Sequence, residues 1–309
     1  MTDKKSNQGL HHYEFLYFGE KVLVKLFSED IRTREVLDWD GVHLFHFAGS
    51  SCSQKARVCT NLKGIHWTSH PVDLANGENY SEYYLGINPR GLVPTLVVDG
   101  EVHIESNDII TLLDERFPDT KLIPPEMEEE VAVLLHHEDD LHLDLRTITF
   151  RFTQPRGKVP RSEETLRKYR EGGSGTVQGM PDSHKEREIE FWETASDIGI
   201  TDDAVKVSAR RFRDAFDGLE KDLEKHTYLL GENVTVLDVA WVIYVNRLVR
   251  CGYPLKRLHP KLNDWFWPLR NRKEFNDELT VSPEIQKAVE EHHKILRDTG
   301  ATLIDVAGL

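Results

Sequence analysis

The stretch that decides the fold reads Asn88-Pro89-Arg90-Gly91-Leu92-Val93-Pro94-Thr95-Leu96-Val97-Val98, then Asp99-Gly100, then Glu101-Val102-His103-Ile104-Glu105-Ser106-Asn107-Asp108-Ile109-Ile110. Asp99-Gly100 is the tightest hairpin signal in the chain, so strands are expected at 95–98 and 101–104, with Asn88-Pro89-Arg90-Gly91 as a breaker before them. Pro94 lacks an N–H for a strand ladder and stands at the entry to the first of these strands. A cis Val93-Pro94 bond would turn the Val93 backbone outward, where its amide and carbonyl could pair with an extended peptide; the commoner trans bond would leave an ordinary strand entry. Glu105-Ser106 then opens a helix whose apolar side is Ile109, Ile110, Leu112, Leu113 and Phe117, ended by Pro118. Such a helix start can hold a carboxylate through its amides and the Ser106 hydroxyl, while Glu105 can pair with an ammonium.

Upstream, Asp38-Trp39-Asp40-Gly41 punctuates the chain before Val42-His43-Leu44-Phe45-His46-Phe47-Ala48, a β-branched and aromatic run expected to be a strand. The turn Gly49-Ser50-Ser51-Cys52-Ser53 leads into a helix over 54–63 stopped by Gly64. A second strand within 65–73 and a short helix or turn over 80–85 complete an α/β unit of about eighty residues, 42–118. Residues 1–41 are an extension with apolar runs able to dock, and 119–125 a linker. From 126 to 309 helical periodicity dominates, with one long helix expected over 127–152 and others over 204–226, 235–251, 260–272 and 283–299. Residues 155–183, carrying Gly172-Gly173-Ser174-Gly175, Pro160 and Pro181, read as a mobile insertion. Thr235-Val236-Leu237-Asp238 has the spacing of a capping box.

A chain of 309 residues exceeds one compact domain. Its 53 acidic against 39 basic residues give a net charge of −14, which disfavours nucleic acid and anionic membranes as partners. No apolar run reaches the length of a membrane span, and the polar residues 1–12 are neither a secretory signal nor an anchor, so a cytoplasmic protein is expected. The three cysteines, Cys52, Cys59 and Cys251, are too few to staple such a chain. On one helix Cys52 and Cys59 would stand about 10 Å apart, beyond disulfide reach. His136-His137-Glu138-Asp139-Asp140-Leu141-His142 contains metal-ligating residue types, yet its adjacent histidines point to different helix faces, so no metal site is expected.

Three features carry chemistry. The turn at Ser50 to Ser53 puts hydroxyls and free amides at a helix start, where a thiolate, carboxylate or phosphate gains from the dipole and from nearby Lys55 and Arg57. Taken alone it is also what ordinary capping requires. Together with the Val93-Pro94 backbone edge and the Glu105-Ser106 acid and hydroxyl, it makes a site suited to a short acidic thiol peptide.

These residues resemble the cytosolic glutathione transferases. Ser50-Ser51-Cys52-Ser53-Gln54-Lys55-Ala56-Arg57 is similar to the serine motif of the zeta class and shares a Ser-x-x-Ser-Gln-Lys pattern with the tau class; the Val93-Pro94 and Glu105-Ser106 elements follow in the family's order and spacing, and also resemble bacterial β-etherase-type glutathione enzymes. The resemblance implies an α/β thioredoxin-like N-terminal domain, an all-α C-terminal domain, and glutathione as co-substrate. Ser50 would activate the thiol, with Ser51, Cys52, Lys55, Val93, Pro94, Glu105 and Ser106 holding the peptide. It further implies a homodimer that detoxifies a small hydrophobic, electrophilic or ether-bearing substrate. Gln54 departs from the zeta pattern, so maleylacetoacetate isomerisation is not carried over. Two alternatives stand beside this reading: a glutathione-dependent thiol-disulfide reductase using Cys52, and a non-catalytic binding or scaffold protein retaining the fold.

Overall fold

The computed structural model describes residues 23–154 and 162–309. Strand β1 (Val42–His46) runs into helix α1 (Ser51–Lys63), which starts where Ser50 caps it and stops at Gly64, whose φ of 63° suits glycine. Strand β2 (Thr68–Pro71) returns parallel to β1, and a short helix α2 (Glu82–Leu85) precedes the cis Val93-Pro94 bond. Strands β3 (Thr95–Val98) and β4 (Glu101–His103) form the expected hairpin, with Asp99 and Gly100 both at positive φ as its turn requires. Helix α3 (Ser106–Arg116) closes the unit. The sheet order is β2-β1-β3-β4, with β1 antiparallel to β3. This is a thioredoxin-like domain.

Both faces of the sheet are apolar, and each needs a cover. Val42, Leu44, Leu96 and Val98 point to α1 and α3, whose Ala56, Val58, Ile109 and Leu113 join the main core of the helical domain. Phe45, Val97 and Val102 face the other way and are covered by Leu26, Ile31 and Val36 of the extension. The extension also takes up free groups along β4: Leu26 N donates to the Val102 carbonyl (2.8 Å) and Ile104 N to the Val24 carbonyl (3.1 Å), which shields an otherwise open strand edge.

The helical domain departs from expectation in two places. Residues 127–152 form two helices, α4 (Glu128–Asp139) and α5 (His142–Thr153), because the chain turns at Asp140 and at the buried Leu141. The region expected to be a mobile insertion is, over its described part, folded onto the first domain as α6 (Glu163–Glu171) and the hairpin β5 (Thr176–Val177) and β6 (Met180–Pro181). Residues 155–161 lie outside the described part. Its composition is polar, but Leu166 and Tyr169 share one helix face and are buried; Tyr169 packs with Tyr80, Leu85 and Ile189, its ring 4.4 Å from that of Tyr80. The Asp30 carboxylate anchors the hairpin by accepting from Thr176 Oγ1 at 2.6 Å and Gly179 N at 3.1 Å.

Helices α7 (His184–Asp197) and α8 (Asp202–Asp222) lead to α9 (Val236–Arg250), followed by α10 (Leu255–Leu258), α11 (Pro260–Arg270), α12 (Lys273–Leu279), α13 (Pro283–Asp298) and α14 (Leu303–Ala307). Helix α9 is buried on every side from Val236 to Asn246 and is mostly apolar there, as a helix enclosed by neighbours must be. Its buried Asp238 accepts from Thr235 N (2.8 Å), Thr235 Oγ1 (2.8 Å), Leu229 N (3.1 Å) and Trp265 Nε1 (2.9 Å). Among the described residues, no helix is long and apolar enough to cross a membrane.

Removing Asp238 leaves four buried donors short of an acceptor, so Asp238→Ala is expected to destabilise the fold by about 2–4 kcal/mol in denaturant titration, with Asp238→Asn costing less. His103 on β4 is 4% exposed, and among the described residues neither ring nitrogen has a hydrogen-bond partner. Burial and the Lys25 ammonium lower its pKa to about 4. Between that value and 6.5 the unfolded chain binds a proton that the folded chain refuses, so stability falls as pH drops through this window. His103→Leu is expected to remove roughly 2–3 kcal/mol of that loss, read as a flatter stability profile between pH of about 7 and about 4.

Candidate functional site

The β1–α1 turn and the start of α1 lie against the helical domain, whose α5 and α9 reach them through His142 and Arg247. Ser50 is the N-cap: its Oγ accepts from Ser53 N at 3.2 Å, which uses a lone pair and leaves the hydroxyl proton free to donate. Ser50 and Ser51 are both half-buried. Immediately before them, the Gly49 carbonyl accepts a hydrogen bond from Arg247 of α9, whose guanidinium also donates to Gln54 Oε1 at 3.1 Å. No carboxylate among the described residues pairs with Arg247, and its Nε is buried without a partner. Burial and the neighbouring Arg250 lower its pKa to about 10, so it remains a cation at neutral pH behind the turn.

In the first turn of α1, Cys52 faces the helical domain. Its Sγ lies 3.7 Å from Nδ1 of His142, and that nitrogen is 3.2 Å from the Tyr244 hydroxyl. Burial raises the Cys52 thiol pKa above its ordinary value; Lys55 and a hydrogen bond with Ser106 oppose the rise, and Asp139 adds to it. His142 is held below its usual pKa by burial and by Arg146, so it supplies no positive charge to stabilise a Cys52 thiolate. Arg146 pairs with Glu188 at 2.7 Å and lies over the rings of Phe191 and Trp192.

Lys55 corrects one expectation. Rather than attending an anion at the turn, its side chain is 0% exposed and points across the domain boundary to Glu138, equally buried, at 2.6 Å. Asn107 accepts from the same ammonium at 3.1 Å and donates to Glu138 Oε2 at 3.2 Å, and the Tyr244 ring lies beneath at 4.9 Å. Arg57 is likewise engaged, paired with Glu278 of α12.

The second expected cluster is brought together by the hairpin and α3. Glu105, at φ 66°, is the N-cap of α3 beside the cis Val93-Pro94 segment, and the buried Ser106 follows it. One Glu105 oxygen accepts from Arg90 Nη1 at 2.6 Å. The other face of Arg90 makes a two-pronged pair with Asp182, Nε to Oδ2 at 2.9 Å and Nη2 to Oδ1 at 2.8 Å. Arg90 was visible in the sequence only as part of a breaker, and Asp182 only as part of a polar insertion. Neither Arg247 nor Arg146 carried any local signal, because each matters through a partner far away in the chain. Among the described residues, no group of three or more histidine, cysteine, aspartate or glutamate side chains is arranged to hold a metal.

Residues 49–116 match the family model described as the glutathione S-transferase N-terminal domain, and residues 202–266 match that of the glutathione S-transferase C-terminal domain. Both matches are to domains of the glutathione S-transferase family, and together they span less than half of this chain. Among curated relatives, it is 36% identical over 87 residues to a zeta-class glutathione S-transferase of Euphorbia esula, covering 28% of this chain and 39% of that one. It is 25% identical over 214 residues to the tetrachloro-p-hydroquinone reductive dehalogenase of Sphingobium chlorophenolicum, covering 67% of this chain and 82% of that protein. In structure it is similar to the beta-etherase LigF of Sphingobium sp. strain SYK-6, with a TM-score of 0.63 and 22% identity over 77% of this chain and 98% of that one. The stretch shared with the plant glutathione S-transferases it matches spans about two-fifths of their length.

The Lys55–Glu138 pair joins the two domains beside the site, and removing one partner leaves a buried charge. Lys55→Met is expected to destabilise the fold by about 3–5 kcal/mol, whereas Lys55→Met with Glu138→Leu recovers most of the loss; denaturant titration of the two variants reads the difference.

Proposed function

We propose that the protein is a glutathione transferase that activates the glutathione thiol at Ser50 for attack on an electrophilic or ether-bearing small molecule. The observation that carries this reading is the state of Ser50: its oxygen already caps α1, its proton is free, and it stands where the helix dipole favours a negative charge. A free thiol with a pKa of about 8.5 is only about 3% ionised at pH 7. Lowering it by about two units requires roughly 2.7 kcal/mol of preferential stabilisation of the thiolate. A donated hydroxyl hydrogen bond, the helix start, and the Arg247 cation close behind the turn act in the same direction.

In this assignment Val93 offers its backbone to the peptide, Pro94 shapes that edge, and Glu105 and Ser106 receive the γ-glutamyl end, with Ser51 bordering the sulfur. Cys52 faces the helical domain beside it. The second substrate lies against the side of α5 and α7 that carries His142, Arg146, Phe150 and Phe191. The relatives named above as a reductive dehalogenase and a beta-etherase are consistent with a small aromatic halide or ether in that place. A homodimer in a reducing cytoplasm accompanies the reading, and sedimentation of the purified chain tests the dimer. The Cys52 reductase reading is disfavoured because burial raises that thiol's pKa and neutral His142 does nothing to lower it.

The test is a pH titration of thiolate absorbance in the glutathione complex, paired with kinetics on an aromatic halide. Ser50→Ala is expected to return the bound thiol towards its free pKa and to lower kcat/KM about 10- to 100-fold, corresponding to one lost charge-assisted hydrogen bond. Cys52→Ala is expected to keep both properties. A parent complex with an unshifted thiol would sink the mechanism.

A further inference from the structure

The insertion does more than fill space beside the first domain. It is built against the segment that precedes the cis Val93-Pro94 bond: the Tyr169 hydroxyl donates to the Arg90 carbonyl at 2.6 Å, and a Cβ on Gly91, whose φ is 61°, would lie 2.9 Å from the Tyr169 ring. That docking delivers Asp182, which neither family model covers, to the guanidinium of Arg90 on the side opposite Glu105. Three charged groups thus stand in line, carboxylate, guanidinium, carboxylate, with one negative charge in excess.

One further cation stands near this line: the Lys185 ammonium is attracted to Asp182. His184, next to the hairpin, is kept below its usual pKa by burial and adds no charge at neutral pH. Lys185 donates to the Gly172 carbonyl at 2.7 Å and lies over the Tyr169 ring. One Glu105 oxygen has no partner among the described residues, and the Glu105 side chain is 33% exposed. The cluster therefore has an unfilled acceptor on Glu105 and a guanidinium on Arg90 in one place. A free α-amino-acid group, with an ammonium and a carboxylate on one carbon, satisfies both.

We propose that Asp182, supplied by the insertion, is a specificity-determining residue for the γ-glutamyl end of the peptide. It shares the ligand's ammonium with Glu105 while Arg90, held flat between the two acids, takes the α-carboxylate. The inference rests on the glutathione reading above and assigns to this chain's own insertion a contact that the two-domain framework does not supply. It predicts selectivity for a γ-glutamyl group with its ammonium intact over the same peptide without it.

Calorimetric titration with glutathione and with its desamino analogue, glutaryl-cysteinyl-glycine, tests this. The parent is expected to bind glutathione about tenfold or more tightly than the analogue. Asp182→Asn is expected to lose about tenfold for glutathione and to change by less than about twofold for the analogue, with Asp182→Glu recovering part of the difference. Equal losses for both peptides would mean that Asp182 only latches the insertion, and no loss for either would remove it from the site; both results overturn the proposal. If Asp182→Asn fails to fold, the parent's preference and that of Asp182→Glu still decide it, since equal affinity for the two peptides in the parent contradicts it. A parent that binds neither peptide overturns the glutathione reading itself, which separates that failure from the failure of Asp182 alone.

Discussion

The ion pair between Lys55 and Glu138 is the constraint on which the arrangement of the site depends. Both side chains are fully withdrawn from solvent, so neither charge is tolerable without the other, and their 2.6 Å contact joins α1 of the first domain to α4 of the second. Asn107 at the start of α3 completes the triangle, so three helices from two domains are fixed at one point. From that point Cys52, three residues earlier on α1, meets His142 at the start of α5, and Ser50 stands half-buried just ahead of it. An apolar contact would bury the same area, but with less control over rotation of one helix on another.

Around this joint the chain solves a second problem. A small four-stranded sheet with apolar side chains on both faces is covered on one side by α1, α3 and the helical domain, while on the other side its own cover is the short α2, through Tyr84. Leu26, Ile31 and Val36 of the extension complete that cover, and the insertion's hairpin is tied to the extension through Asp30. The two segments that lengthen the chain therefore support each other on the first domain. Their joint effect reaches the proposed site through Asp182 and Arg90.

The legible parts of the sequence were those whose physics is local. Asp99-Gly100 demands a hairpin because few residues accept two successive positive φ angles, Gly64 ends α1 for the same reason, and Thr235 to Asp238 caps α9 through groups within one turn. Ser50 was legible as an N-cap. The insertion was misread because its glycines and charges describe its solvent face, whereas its structure is set by Leu166 and Tyr169, whose partners Tyr80 and Leu85 lie about eighty residues away. Lys55 was misread in the opposite sense: a lysine beside an anion-binding turn suggests an exposed cation, and only the packing of α4 shows that its charge is already neutralised.

The sequence by itself determined the strand and helix order of the first domain, the helical character of the second, and the serine at the helix start, because each follows from periodicity, turn chemistry or capping within a few residues. The tertiary structure alone decided which charges are free. Arg247 meets no carboxylate among the described residues, Lys55 and Arg57 do, Cys52 is held as a neutral thiol, and Arg90 is shared between Glu105 and Asp182 of the insertion. Charge pairing depends on distance in space and on burial, and neither is encoded in the spacing of residues along the chain.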